Sequence, residues 1–196
     1  MKRVAVSQRI DVIKDRGETR DALDQQLNAF LVKCGYLPIP VPNFFSRDEV
    51  MKWLNALSPD AIILSGGNDI GDYPSRDWTE TALLDFSYQR KLPLLGICRG
   101  MQMIAHWAGV GVKKVIGHVA TKHILHGKIT NEVNSYHSYS IIRCPDQFEV
   151  LAQSEDGEIE AIRHFTSAWE GWMWHPEREA KFANADVKRL QELFDA

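Results

Sequence analysis

An α/β fold with a mainly parallel sheet is what this chain predicts, and three observations predict it. Short apolar runs alternate with helical patterns from Arg3 to Trp107, the pattern of a parallel sheet covered on both faces. Two of those runs end in glycine-bearing turns, at Ser65-Gly66-Gly67 and at Gly96 to Gly100. From about Val112 the pattern changes to strand-like runs broken by turn residues. Together these imply a three-layer sandwich, with antiparallel strands added by the C-terminal half.

Taken in order, Arg3 to Ser7 reads as a first strand, and Leu23, Leu27, Phe30, Leu31 and Cys34 recur at helical spacing before a Gly35 stop. Leu37 to Val41 reads as extended, its prolines suiting a sheet edge. Ser46-x-x-Glu49 is a capping box opening a helix through Leu57. Asp60 to Leu64 is a short buried strand, Thr79 to Arg90 a helix, Leu92 to Ile97 a strand and Arg99 to Trp107 its helix. Strand-like runs follow at Val112 to Ile116, Glu132 to Arg143, Phe148 to Ala152, Glu158 to His164 and Ala168 to Trp174, with a turn at Ser154 to Gly157. Val187, Leu190 and Phe194 place a final helix over Asn184 to Phe194.

The 196 residues, 44% of them hydrophobic, suffice for one good core and predict a single domain over 1–196. A net charge of −3 points away from nucleic acid and anionic membrane surfaces. Cys34, Cys98 and Cys144 are an odd set without metal spacing, which argues for a reducing compartment and against disulfides. The apolar stretch at the start is too short for a signal peptide, and no later run approaches the roughly 18 residues that span a bilayer. The expected location is the cytoplasm. Oligomeric state, a homo-oligomer included, is left open.

Chemistry concentrates in two places. In Gly96-Ile-Cys98-Arg-Gly100-Met-Gln102 a cysteine stands where a strand must turn sharply into a helix, with small residues two before and two after it. A thiol there meets the unpaired N–H groups and dipole of a helix N-terminus, which favour thiolate. Far downstream, Trp174-His175-Pro-Glu177 offers a base and a carboxylate two residues apart, which extended chain would project to one side. Cys98, His175 and Glu177 thus supply nucleophile, base and orienting group.

The Cys98 elbow, the Ser65-Gly66-Gly67-Asn68-Asp69 loop before it and the His175-Pro-Glu177 triplet after it resemble the class I glutamine amidotransferases, most closely the γ-glutamyl hydrolase (peptidase C26) branch. The resemblance implies the flavodoxin-like fold of that family and hydrolysis of a γ-glutamyl amide through a cysteine thioester, without metal or organic cofactor. It further implies an oxyanion hole from the backbone N–H of Gly67, or its neighbour Gly66, together with that of Arg99. Gln102 and the Asn-Ser-x-His-like stretch containing Ser135, Tyr136 and His137 would line the glutamyl pocket, His137 as a structural or leaving-group contact. The partner is then a small γ-glutamyl molecule. The opening Val-Ser-Gln-Arg9 and the basic run to Lys128 further suggest a γ-glutamyl phosphoramidate nucleotide, such as γ-glutamyl-CDP-amidate. A glutaminase subunit passing ammonia to a separate synthase is the alternative.

The run His118 to Lys128 holds three histidines and two lysines. No nearby carboxylate or cysteine completes a ligand set, so no metal is expected, and the run reads as a solvated loop or a basic rim for an anionic leaving group. Trp169, Trp172 and Trp174 read as core. Arg9 and Arg99 follow strand ends, where they either meet a substrate carboxylate or face solvent.

Overall fold

A computed structural model describes residues 1–43 and 46–195. Strand β1 (Arg3–Val6) leads into a hairpin of β2 (Arg9–Ile13) and β3 (Glu18–Ala22), then α1 (Gln25–Lys33), β4 (Leu37–Pro40), α2 (Arg47–Leu57), β5 (Ala61–Leu64), α3 (Pro74–Arg90), β6 (Leu94–Ile97) and α4 (Arg99–Trp107). The C-terminal half adds β7 (Val112–Lys114), β8 (Val119–Ile124), β9 (His126–Gly127), β10 (Glu132–Tyr136), β11 (Tyr139–Ile141), β12 (Phe148–Gln153), β13 (Ile159–His164), β14 (Trp169–Trp172) and α5 (Asn184–Phe194).

The main sheet has the order β4-β1-β5-β6-β14-β13-β12-β9. Its first five strands run parallel and the last three antiparallel. Alternate side chains of each strand go to opposite faces, which sorts the core in two. Val4, Val6, Ile63, Leu95 and Ile97 pack with Leu27, Phe30 and Leu31 of α1 and Leu190 and Phe194 of α5. Ala5, Ile62, Leu64 and Leu94 pack with Val50 and Leu54 of α2, Leu83 and Leu84 of α3 and Met101 and Ile104 of α4. This is the expected three-layer sandwich, and Trp169, Trp172 and Trp174 are buried in it as predicted. Among the described residues no helix is long and apolar enough to cross a membrane.

Several elements depart from the sequence reading. The β2–β3 hairpin has no counterpart there: Ile10 and Val12 of β2 alternate with Arg9 and Asp11 over too few residues to stand out, and β3 is polar and exposed. Helix α3 begins at Pro74 rather than Thr79, since proline is preset for the first helical position. The run Glu132 to Arg143 splits into β10 and β11, and β8 pairs antiparallel with β10. At α2, Ser46 accepts from the Glu49 N–H and donates to its carboxylate at 2.6 Å, half of the reciprocal box expected. Strand β14 lies parallel to β6, which brings the chain following Trp172 beside the end of the elbow strand.

Candidate active site

The carboxyl ends of β5, β6 and β14 adjoin, and each releases one of the segments singled out by sequence, as open α/β sheets place their ligand sites. Cys98 sits between β6 and α4 with φ 51° and ψ −105°, a conformation an L-residue holds only under constraint. The constraint is close packing. A Cβ on Gly100 would stand 2.1 Å from the Leu64 carbonyl oxygen, and one on Gly96 would stand 2.5 Å from the Gly100 carbonyl. The Cys98 N–H donates to the Trp172 carbonyl at 2.6 Å, which pins the turn to β14.

His175 and Glu177 meet, though not by the extended geometry expected. Pro176–Arg178 forms a turn of 3₁₀ helix with His175 at its N-cap, and this bend sets Nδ1 of His175 2.6 Å from Oε1 of Glu177. Cys98 lies close enough to act on the His175 ring. All three side chains are buried. Burial by itself disfavours the imidazolium, but its interactions with Cys98 and Glu177 outweigh it, raising the His175 pKa to about 9. Gly66 packs so close that a Cβ there would lie 2.6 Å from Cε1 of His175. A cavity of about 260 Å³ opens beside the pair, lined by Arg9, Leu27, Gly66, Gly67 and Arg178 among others.

With this geometry goes a match of residues 18–190 to the family model for glutamine amidotransferase class-I. The chain belongs to this family. It is 35% identical over 140 residues to a γ-glutamyl-CDP-amidate hydrolase of Campylobacter jejuni, covering 68% of this chain and 69% of that one. It is 34% identical over 140 residues to a subunit of the glutamine-hydrolysing GMP synthase of Methanocaldococcus jannaschii, covering 66% and 71%. Among solved structures, a putative GMP synthase subunit from Thermoplasma acidophilum superposes with a TM-score of 0.75 at 21% identity, covering 100% of this chain and 93% of that one. That likeness shows the amidotransferase fold.

Within the amidotransferase domain, other predicted residues divide between those near the cavity and those turned away. The Tyr136 ring meets the His175 ring edge-on at 6.0 Å, with the Arg178 guanidinium 4.7 Å from the Tyr136 ring centre. Gln102 is buried and donates to the Tyr139 carbonyl at 2.9 Å. Ser135 is fully buried and gives its hydroxyl to the His118 carbonyl at 2.7 Å. His137, read from the sequence as a structural or leaving-group contact, turns its ring into a buried cluster with His118 and Glu160, its Nδ1 held by the Tyr139 carbonyl at 3.0 Å. The lysines of the basic run lie at the surface, whereas Arg99, read as meeting a substrate carboxylate or solvent, does neither. Lys122 and Lys128 are exposed and paired with Glu132 and Glu149, and Arg99 is buried in ion pairs with Asp77 and Glu80 rather than facing a substrate.

Two supports escaped the sequence. Asn134 donates to the His175 carbonyl at 2.8 Å and accepts from its N–H at 2.9 Å, fixing the backbone that carries the imidazole. Arg76, fully buried, donates to the carbonyls of Ser65 at 2.8 Å, Gly66 at 3.0 Å and Gly67, and pairs with Glu80 at 3.1 Å. Glu80 accepts from Ser7 at 2.7 Å and pairs with Arg99, so one carboxylate ties the glycine loop to the start of α4. Burial draws both guanidiniums down to about 9, still charged near neutral pH. The only trace of this in the chain is an Arg76/Glu80 spacing of four, which ordinarily marks a solvated helix face.

Proposed function

We propose that this chain hydrolyses the γ-glutamyl amide bond of a glutamyl conjugate through a thioester on Cys98, releasing glutamate. The observation that carries the reading is the meeting of Cys98 with His175 and Glu177 beside the glycine loop. The Cys98 thiolate attacks the γ-carbonyl carbon, and the carbonyl electrons move onto oxygen. That oxyanion rests on the N–H groups of Gly67 and Arg99. Two features support the assignment: Arg99 is the first residue of α4, whose N–H has no acceptor within the helix, and a trans peptide whose Gly66 carbonyl faces Arg76 aims the Gly67 N–H the opposite way. The imidazolium of His175 protonates the departing nitrogen as the C–N bond breaks. Water, deprotonated by His175 while Glu177 holds the ring, then cleaves the thioester and restores the thiolate.

For the substrate we propose a γ-glutamyl phosphoramidate nucleotide, as in γ-glutamyl-CDP-amidate. The Campylobacter jejuni relative supports it, and so do Arg9 and Arg178 at the cavity, cations suited to phosphate oxygens. A second reading, a glutaminase subunit feeding ammonia to a synthase, is supported by the GMP synthase relatives. One panel separates them. Purified protein is incubated with glutamine, γ-glutamyl amines and γ-glutamyl nucleotide amidates, and released glutamate is measured against Cys98→Ala. Rapid partner-free turnover of the nucleotide amidate is expected. Activity confined to glutamine and rising only with an added synthase would replace the first reading by the second, and undiminished turnover by Cys98→Ala would overturn both.

A further inference from the structure

Where the β8–β10 hairpin meets β13, His118, His123, His137 and Glu160 each turn one ligating atom toward a common centre, all within 4.8 Å of one another. Nδ1 of His118, Nε2 of His123, Nε2 of His137 and both oxygens of Glu160 are buried there without a hydrogen-bond partner. Stranding so many buried polar atoms in one place is costly unless something answers all of them.

The ring protons can be placed from their partners. Nδ1 of His137 faces the Tyr139 carbonyl at 3.0 Å, and Nε2 of His118 faces the Asp156 carboxylate at 2.9 Å. Both partners only accept, so a ring proton sits on each of those nitrogens and the opposite nitrogen of each ring is the one turned to the centre, where it can offer its lone pair to a metal ion. Each of these lone pairs lies 3.4 Å from the same Glu160 oxygen. Lone pairs and a carboxylate converging this way repel one another unless a cation lies among them. In a tetrahedral site with bonds of about 2.05 Å, neighbouring donor atoms stand about 3.35 Å apart.

We propose that His118, His123, His137 and Glu160 bind one divalent transition-metal ion of the zinc type in a closed structural site. Four protein donors fill a tetrahedron and leave no position for substrate, and three imidazoles with one carboxylate suit zinc better than calcium or magnesium. Asp156 and the Tyr139 carbonyl hold the ligand rings from behind. The ion staples the β8–β10 hairpin to β13 of the main sheet. That hairpin carries Asn134, which clasps His175, and the Tyr139 carbonyl accepts from both His137 and Gln102, so the staple steadies two sides of the active site. Along the chain no carboxylate stands beside His118 to His126, which is why the sequence reads against a metal. Glu160 comes from another strand, and exposed His126 takes no part.

The proposal is independent of the substrate reading, and its test reads metal rather than turnover. Tag-free protein is expressed in zinc-supplemented medium, dialysed and assayed for zinc, iron, cobalt, nickel, copper and manganese by mass spectrometry. About one equivalent per chain is expected for the wild type, falling below about 0.1 in Glu160→Gln. Asp156→Asn, which keeps all four ligands and alters an exposed position, should weaken zinc binding about 10- to 100-fold. Stripped protein should gain roughly 5–10 °C in melting temperature on adding zinc at 100 times its dissociation constant. Cobalt in its place should give the intense visible bands of a tetrahedral site. Wild-type protein that stays metal-free, takes up less than about 0.1 equivalent when zinc is added and melts at the same temperature with and without it would overturn the proposal.

Discussion

Replacing Arg76 tests whether the glycine loop owes its orientation to a buried guanidinium. Arg76 is fully buried and holds the carbonyls of Ser65, Gly66 and Gly67, the Asn68 side chain at 3.1 Å and Glu80 at 3.1 Å. Arg76→Met removes the charge while keeping most of the volume. It strands Glu80 with one cation fewer and leaves buried carbonyls unpaired, and breaking a buried ion pair costs about 3–5 kcal/mol. Without its clamp the loop is free to rotate the Gly67 N–H away from the reacting oxygen, and losing one such donor lowers kcat by on the order of 10²–10³. Arg76→Lys keeps the charge but reaches only part of the fork, so it should fold with a smaller stability loss and still lose at least about tenfold in kcat. The assay is kcat and KM for glutamate release, with a thermal melt on each variant. The loss should fall on kcat, because the proposed oxyanion contact acts on charge developed in the transition state. A folded Arg76→Lys enzyme with wild-type kcat would refute the clamp.

Three further outcomes are expected. Cys98→Ala and His175→Ala should abolish glutamate release, whereas Glu177→Ala should leave a measurable residue of it, since His175 keeps its place but loses the partner that fixes its tautomer. His175 has its pKa raised in the fold from 6.5 to about 9, so the stability it contributes is fully present below about pH 6.5 and is lost as pH rises through about 9. For this buried group that is on the order of 3 kcal/mol; urea melts between pH 6 and 10 should show the decline in wild type and a shallower one in His175→Ala, and equal slopes would contradict it. Gly100→Ala should fail to form the elbow, because its Cβ would stand 2.1 Å from the Leu64 carbonyl oxygen. A Gly100→Ala protein with wild-type melting temperature and activity would show that the backbone yields more readily than close packing implies.

The order of elements and the segments that bring Cys98, His175 and Glu177 together are legible in the chain because both are written locally. Apolar periodicity marks β1, β5, β6 and helices α1 to α5. The glycines flanking Cys98 and the His-Pro-Glu triplet each encode a turn within a few residues. Polar elements such as β3 and β8 carry no such signal, and these strands form because each finds a partner in the fold.

By itself the sequence determined a three-layer α/β sandwich with a cysteine on a strained bend and a histidine and carboxylate waiting downstream. Only the tertiary structure decided that Arg76 and Glu80 would be buried bracing the loop, that His137 would turn into a buried cluster, and that Glu160 would join three histidines from outside its own strand. The physical reason is range. Turn chemistry and periodicity act over a few residues, whereas these placements follow from the sheet order, which sets β14 against β6 and β13 beside it, and so fixes which distant side chains share a buried space.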